Sequence, residues 1–176
     1  MLNSEEIIRG ERVDIRRFTR KDITPDYINW LNDPRVVRYS NQRFRVHTTE
    51  TCIRYFEFFS GTPSLFLKIV PVDSDQKIGT MTAHISPHHG TADMGILIGD
   101  TSRWGEGLGS DAWVTLLGWL LIQGSARKVT GGCLSSNKAM IRIMESSGMT
   151  LEAIRPRQEL VDGIPLDLLY FGKFRA

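Results

Sequence analysis

Apolar and polar positions follow two different periods along this chain. Segments 12–18, 64–72, 76–86, 91–99, 127–135, 150–161 and 165–174 are β-type runs rich in Val, Ile, Leu, Phe and Thr, and they predict seven strands. Segments 22–31, 48–60, 107–124 and 137–147 predict helices. The last shows Ala139, Ile143 and Met144 at helical spacing, opens on Asn137, a favoured N-cap, and stops at Gly148. Pro34 ends the first helix near Asp33, because a residue before proline avoids the helical region. Asp73-Ser-Asp-Gln, His88-His-Gly-Thr and Asp162-Gly163 are turn signals. They join 64–72, 76–86 and 91–99 into a meander, and 150–161 with 165–174 into a hairpin. Helix 107–124 then forms a right-handed crossover to a parallel strand. The predicted class is α+β, arranged α/β/α: a mixed, mostly antiparallel seven-stranded sheet flanked by helices.

Composition narrows the setting. A length of 176 residues predicts one domain, spanning 1–176, with a full core. Hydrophobic residues make up 41% and charged residues 24%, as in soluble globular proteins. The net charge of +2 is scattered, so no nucleic-acid partner is expected. The nearest thing to a basic patch, Arg16, Arg17, Arg20 and Lys21, reads as a solvated face. The acidic N-terminus lacks a secretory signal, and the longest apolar run, Trp113 to Ile122, is broken by Thr115 and Gly118. It is too short to span a bilayer, so no membrane partner and a cytoplasmic location are expected. Cys52 and Cys133 match no metal spacing. They read as free thiols, with Cys133 buried, and no metal is expected.

The chemistry concentrates in Arg103-Trp-Gly-Glu-Gly-Leu-Gly-Ser-Asp111. A strand feeding a glycine-rich loop that opens a helix suits phosphate, because glycines let backbone N–H groups converge and the helix terminus is partly positive. No Gly-Lys-Ser/Thr is present, which excludes a P-loop. The spacing G-x-G-x-G lies past mid-chain, which fails the dinucleotide fingerprint. A plain strand–turn–helix connection and a mononucleotide site remain as other readings of the loop.

Read with its neighbours, this loop resembles the acyl-CoA pyrophosphate loop of the GNAT acetyltransferase superfamily, (Arg/Gln)-x-x-Gly-x-(Gly/Ala). Trp104 stands at the Arg/Gln position, and Gly107 and Gly109 fill the glycines. The Trp-Gly-x-Gly form resembles the RimJ/RimL-like branch, which includes ribosomal-protein N-terminal acetyltransferases and spermidine acetyltransferases. Trp30-Leu-Asn-Asp-Pro34 is similar to an element of that branch, and Asn137, its helix and Gly148-Met149 match the family's Asn, helix and Gly-Phe. The resemblance runs from about residue 10 to 174.

The resemblance implies an acetyl-CoA-dependent N-acetyltransferase with acetyl-CoA as acyl donor. It also implies that strands 91–99 and 127–135 splay to admit the acyl arm. Trp104, Gly105, Glu106, Gly107, Leu108, Gly109 and Ser110 would take the pyrophosphate. Backbone of Ile96, Leu97 and Ile98 would pair with pantetheine, as would the Asn137 side chain. Many members carry a Tyr acid seven residues after the Asn. Here Met144 occupies that position, which keeps a non-catalytic acyl-CoA-binding or regulatory module as a rival.

A base must deprotonate the acceptor ammonium. Glu159, in Glu-Leu-Val-Asp-Gly, resembles the catalytic Glu of ribosomal-protein acetyltransferases, and Asp93 sits where several members have Glu. Both also read as ordinary strand carboxylates. His84, His88 and His89 read as surface residues of a turn. The acceptor is expected to be framed by the region of the first two helices and by the 150–174 hairpin. Asn41-Gln-Arg-Phe-Arg-Val-His47 suits a polar, anionic acceptor such as a nucleotide-linked amino sugar, or is a loop packed on the core. A protein N-terminus, a polyamine and a drug-like amine stay open, as do monomer and homodimer.

Overall fold

The structure is a computed structural model and describes residues 6–176. Its strands are β1 Ile7–Arg9, β2 Val13–Arg17, β3 Leu65–Pro71, β4 Gly79–Ser86, β5 Thr91–Ile98, β6 Lys128–Leu134, β7 Thr150–Val161 and β8 Ile164–Phe174. Helices are α1 Pro25–Asn32, α2 Pro34–Val37, α3 Thr49–Phe58, α4 Leu108–Ile122 and α5 Lys138–Ser146. The strands form one sheet of eight, ordered β1-β2-β3-β4-β5-β6-β8-β7. All neighbours are antiparallel except β5 and β6.

The strand beyond the seven expected is β1, a three-residue segment paired with β2, Ile8 opposite Ile15. Only tertiary pairing makes so short a run a strand. Two further boundaries shift. The first helix starts at Pro25, after a 3-10 turn over Arg20–Asp22. Pro34 ends α1 as expected, yet it also opens α2: Asp33 accepts from the Arg35 N–H at 2.9 Å, with Pro at the first helical position.

The local signals operate as their chemistry dictates. The Asn137 side chain accepts from the Met140 N–H at 3.2 Å and starts α5. Gly148, at φ 76°, stops it. The N–H of Met149 donates to Met144 and that of Gly148 to Glu145, the paired bonds of a Schellman motif. Asp162 and Gly163 have φ of 52° and 77°, the left-handed pair of a type I′ hairpin turn.

Each sheet face has its own core. On one face Ala92 and Met94 of β5 pack with Leu108, Ala112, Trp113, Leu116 and Leu120 of α4 and with Met140 and Met144 of α5. On the other, Phe66 of β3 gathers Phe18, Tyr27, Leu31, Cys52 and Phe59, and its ring stacks on Phe18 at 4.3 Å and Phe59 at 5.2 Å. Each buried Leu, Met or Phe among these contributes roughly 1.5–3 kcal/mol.

The parallel pair sets up the site. β5 and β6 stay in register from Thr91–Lys128 through Met94–Gly131 and then part. A Cβ on Gly131 would lie 2.8 Å from the Trp113 ring, so the last paired residue sits directly on α4. Beyond it β6 continues with β8, and β5 continues with β4 alone.

Candidate active site

The glycine loop enters α4 with backbone dihedrals that side chains resist. Gly105 and Gly107 have φ of 83° and 81°, and Gly107 is the N-cap. The first intrahelical bond runs from the Asp111 N–H to the Gly107 carbonyl. The N–H groups of Leu108, Gly109 and Ser110 precede it and point out of the helix, toward the positive end of its dipole. Gly109 lies against Ile98, whose Cγ1 would be 3.3 Å from an added Cβ.

Several contacts brace this loop. Arg12, in the turn between β1 and β2, donates from Nη1 to the Glu106 carbonyl. Arg103 holds the Glu106 carboxylate at 2.9 Å and reaches Asp73 at 3.2 Å. Asp111 accepts from the backbone N–H groups of Glu11, Arg12 and Val13 at 2.9–3.3 Å. The loop is therefore preorganised, with a guanidinium beside it.

The splayed edge of β5 is the second component. The Gly99 N–H donates to Ile78, on the β4 side. Backbone groups alternate between the edges of a strand, so those of Ile96 and Ile98 face the gap left by β6. The Trp104 indole donates to the Ile98 carbonyl at 3.0 Å and so reports that orientation. Leu97 departs from the expectation for this trio: its main-chain groups turn to β4, and its side chain packs with the aromatic cluster.

A cavity of about 760 Å³ opens beside the same stretch of β5, with Gly95, Ile96 and Leu97 in its wall. The rest of the wall comes from α1, the 40–47 segment, α3, β3 and β4. The 150–174 hairpin, expected to frame it, contributes no lining residue. Instead Glu159 and Leu160 border an adjoining hollow of about 520 Å³ with Asn41, Arg43, Phe44 and Arg45, and Arg45 lines both. His47 is buried. Asn32 bonds both its N–H and its carbonyl, at 2.9 and 2.8 Å, and the His47 ring contacts the Gln42 carbonyl at 3.2 Å. Burial pushes the Tyr27 and Tyr55 phenols in the wall upward, with Cys52 and Tyr55 adding to the shift on Tyr27.

The two candidate carboxylates are not brought together. Glu159 lies 3.8 Å from Arg43 and accepts from Asn41 at 3.5 Å. Asp93 accepts from the Thr130 hydroxyl at 2.6 Å, and His84 lies across from it on β4. His84, His88 and His89 are exposed. Met144 is fully buried in the core under β5, so the position of the family's tyrosine supplies no proton. The Ser136 hydroxyl, beside Asn137, is buried without a hydrogen-bond partner. Nothing in the sequence singled it out, since serines also fill ordinary loops.

Both cysteines are free and buried. Burial pushes the Cys133 thiol up to about 11, partly offset by the Lys138 ammonium. Burial raises Cys52 as well, against a hydrogen bond from Thr51. The thiolate is the reactive form, so a disulfide reagent at mildly alkaline pH is expected to label neither cysteine in the native protein and both after unfolding. Rapid native labelling of Cys133 would contradict this burial. Among the described residues, no helix is long and apolar enough to cross a membrane.

A splayed parallel pair, a glycine-capped helix at its mouth and a cavity on the same strand define a class of acyl-CoA-dependent transferases. The sequence matches the acetyltransferase (GNAT) domain over residues 12–150, and the chain belongs to this family of N-acetyltransferases. The fold recurs in solved structures. A GNAT acetyltransferase from Bacillus anthracis superposes with a TM-score of 0.81 at 19% identity, over 97% of this chain and 99% of that one. Spermidine N-acetyltransferase from Vibrio cholerae, solved with CoA and spermine, gives 0.83 at 14%, over 93% and 95%. RimL, a ribosomal L7/L12 α-N-protein acetyltransferase solved with CoA, gives 0.80 at 18%, over 96% and 98%. No curated protein sequence matches the chain.

Proposed function

We propose that this chain transfers the acetyl group of acetyl-CoA to the primary amine of a small molecule, with a nucleotide-linked amino sugar as the favoured kind of acceptor and a protein N-terminus as the other. The observation that carries the reading is the continuity of the donor edge with the cavity: Ile96 contributes to both. In this proposal the pyrophosphate lies on the N–H groups of Leu108, Gly109 and Ser110, braced by Trp104, Gly105, Glu106 and Gly107. Pantetheine pairs with Ile96 and Ile98, and the Asn137 side chain borders it. The amine nitrogen attacks the thioester carbon, the C–S bond breaks, and CoA leaves as a thiolate that takes up a proton. Holding the reactants in line and polarising the carbonyl with backbone N–H groups provides most of the acceleration. Glu159 takes the proton of the ammonium, and Asp93 orients the edge. The proposed setting is the cytoplasm, as a single domain, monomeric or homodimeric.

Acetyl-CoA at 100 times its Kd is expected to stabilise the native state by about 2.7 kcal/mol, raising the melting temperature by roughly 5–10 °C. No shift at millimolar acetyl-CoA would remove the donor site. Thiol release across a panel of amines then tests turnover. The buried Met144 favours one competing reading, a module that binds acyl-CoA without turnover, and release with any amine excludes it.

A further inference from the structure

The wall of the 760 Å³ cavity contains no aspartate or glutamate, yet it contains Arg45 and Arg54. Among the described residues, neither guanidinium has a carboxylate within ion-pair distance. Glu50, one turn before Arg54 on α3, is engaged by the Thr48 hydroxyl at 2.7 Å; that bond first, and the more distant Arg54 charge last, hold its carboxyl below the usual range. Arg43 is different: it is consumed by the Ser40 and Leu160 carbonyls and by Glu159. The remaining wall mixes neutral polar side chains, among them Gln42, Thr51 and Thr82, with an aromatic stretch of Tyr55, Phe58 and Phe66. A polyamine in such a cavity would meet only like charge. A guanidinium suits an oxyanion, because its planar fork of donors matches a phosphate or carboxylate.

Resting on the transferase reading above, we infer that the acceptor is a small amine with an apolar body and an oxyanion, and that Arg45 and Arg54 bind the oxyanion at the cavity mouth. The aromatic wall holds the body, and the amine reaches the β5 edge at Ile96. Arg45 and Arg54 are specificity residues and take no part in the chemical step.

The test uses four phenethylamines that differ only in the para substituent: tyramine O-phosphate, para-carboxyphenethylamine, tyramine and para-aminomethyl-phenethylamine. Each is titrated calorimetrically into protein saturated with CoA, which occupies the pyrophosphate loop, and each is assayed for thiol release from acetyl-CoA. The phosphate or the carboxylate is expected to bind at least about tenfold tighter than tyramine, the size of one hydrogen bond to a charged group, and the diamine weakest. Comparing the first two tells which oxyanion the site takes. In Arg45→Gln/Arg54→Gln the preference is expected to fall toward unity. Both positions are exposed, and the melting temperature and CoA affinity of the variant verify folding. Equal binding of all four, no binding of any, or a preference that survives the double substitution overturns the inference. Thiol release without preference removes the oxyanion site and leaves the transferase. Selective binding without thiol release does the reverse.

Discussion

Replacing Gly107 with valine is expected to weaken CoA binding by about 100-fold or more. The residue caps α4 at φ 81°, and a Cβ there would stand 3.4 Å from the Arg12 guanidinium. A β-branched side chain at positive φ costs about 1–3 kcal/mol, so the loop moves to relieve it. That movement misdirects the N–H groups of Leu108 and Gly109 and displaces Arg12. Each hydrogen bond to a charged group is worth about 1.5–3 kcal/mol, and losing two gives the stated factor. Gly107 is exposed, so the core is untouched and the protein folds. Gly61→Val provides the comparison: it has φ of 72° and open space around it, far from α4 in sequence. It should reproduce the stability loss without affecting CoA. Wild-type CoA affinity in Gly107→Val would show the loop to be a mere connector.

Glu159→Gln is expected to lower kcat/KM about 100-fold or more, the usual range for a positioned acid–base group, while CoA affinity stays constant. The substitution keeps the shape of the side chain and its contact with Asn41 but removes the proton acceptor. Glu159 borders the hollow that shares Arg45 with the main cavity, which is the support for proposing it as the base. Asp93→Asn is expected to have the smaller effect, because Asp93 is already engaged by Thr130 at 2.6 Å, where β5 and β6 are still paired. Rates and pH profiles identical to wild type in both variants would leave the reaction to positioning alone and remove both carboxylates from the site.

Local signals in the sequence carried much of this structure. The strand 150–161, the Asp162-Gly163 turn, the Asn137 cap and the Gly148 stop are all short-range chemistry, and each recurs at its expected residue. The glycine loop was legible for the same reason: positive φ and close approach demand glycine. Features that depend on distant partners were not. β1 exists because β2 pairs with it. Leu97 faces away from the gap because register decides which edge each carbonyl meets. The principal cavity excludes the 150–174 hairpin because the 40–47 segment, tied to α1 through Asn32 and His47, fills that side. The absence of any acid from a wall that holds Arg45 and Arg54 is likewise a property of the assembled molecule, and the run Asn41 to His47 hinted only at polarity.

The grip of Asp111 on the backbone of residues 11–13 has a bearing on how the molecule comes into being. The start of α4 and the turn that braces it are separated by about 100 residues of chain. Joining such distant segments is entropically slow. During synthesis, a nascent chain that has emerged only as far as β5 holds Arg12 but lacks the helix terminus it braces. If the loop holds the pyrophosphate as proposed, CoA would find its site only on chains whose two halves have closed on each other. In that proposal the coenzyme would be a late ligand, drawing complete molecules from the folding population and protecting that closure from reversal.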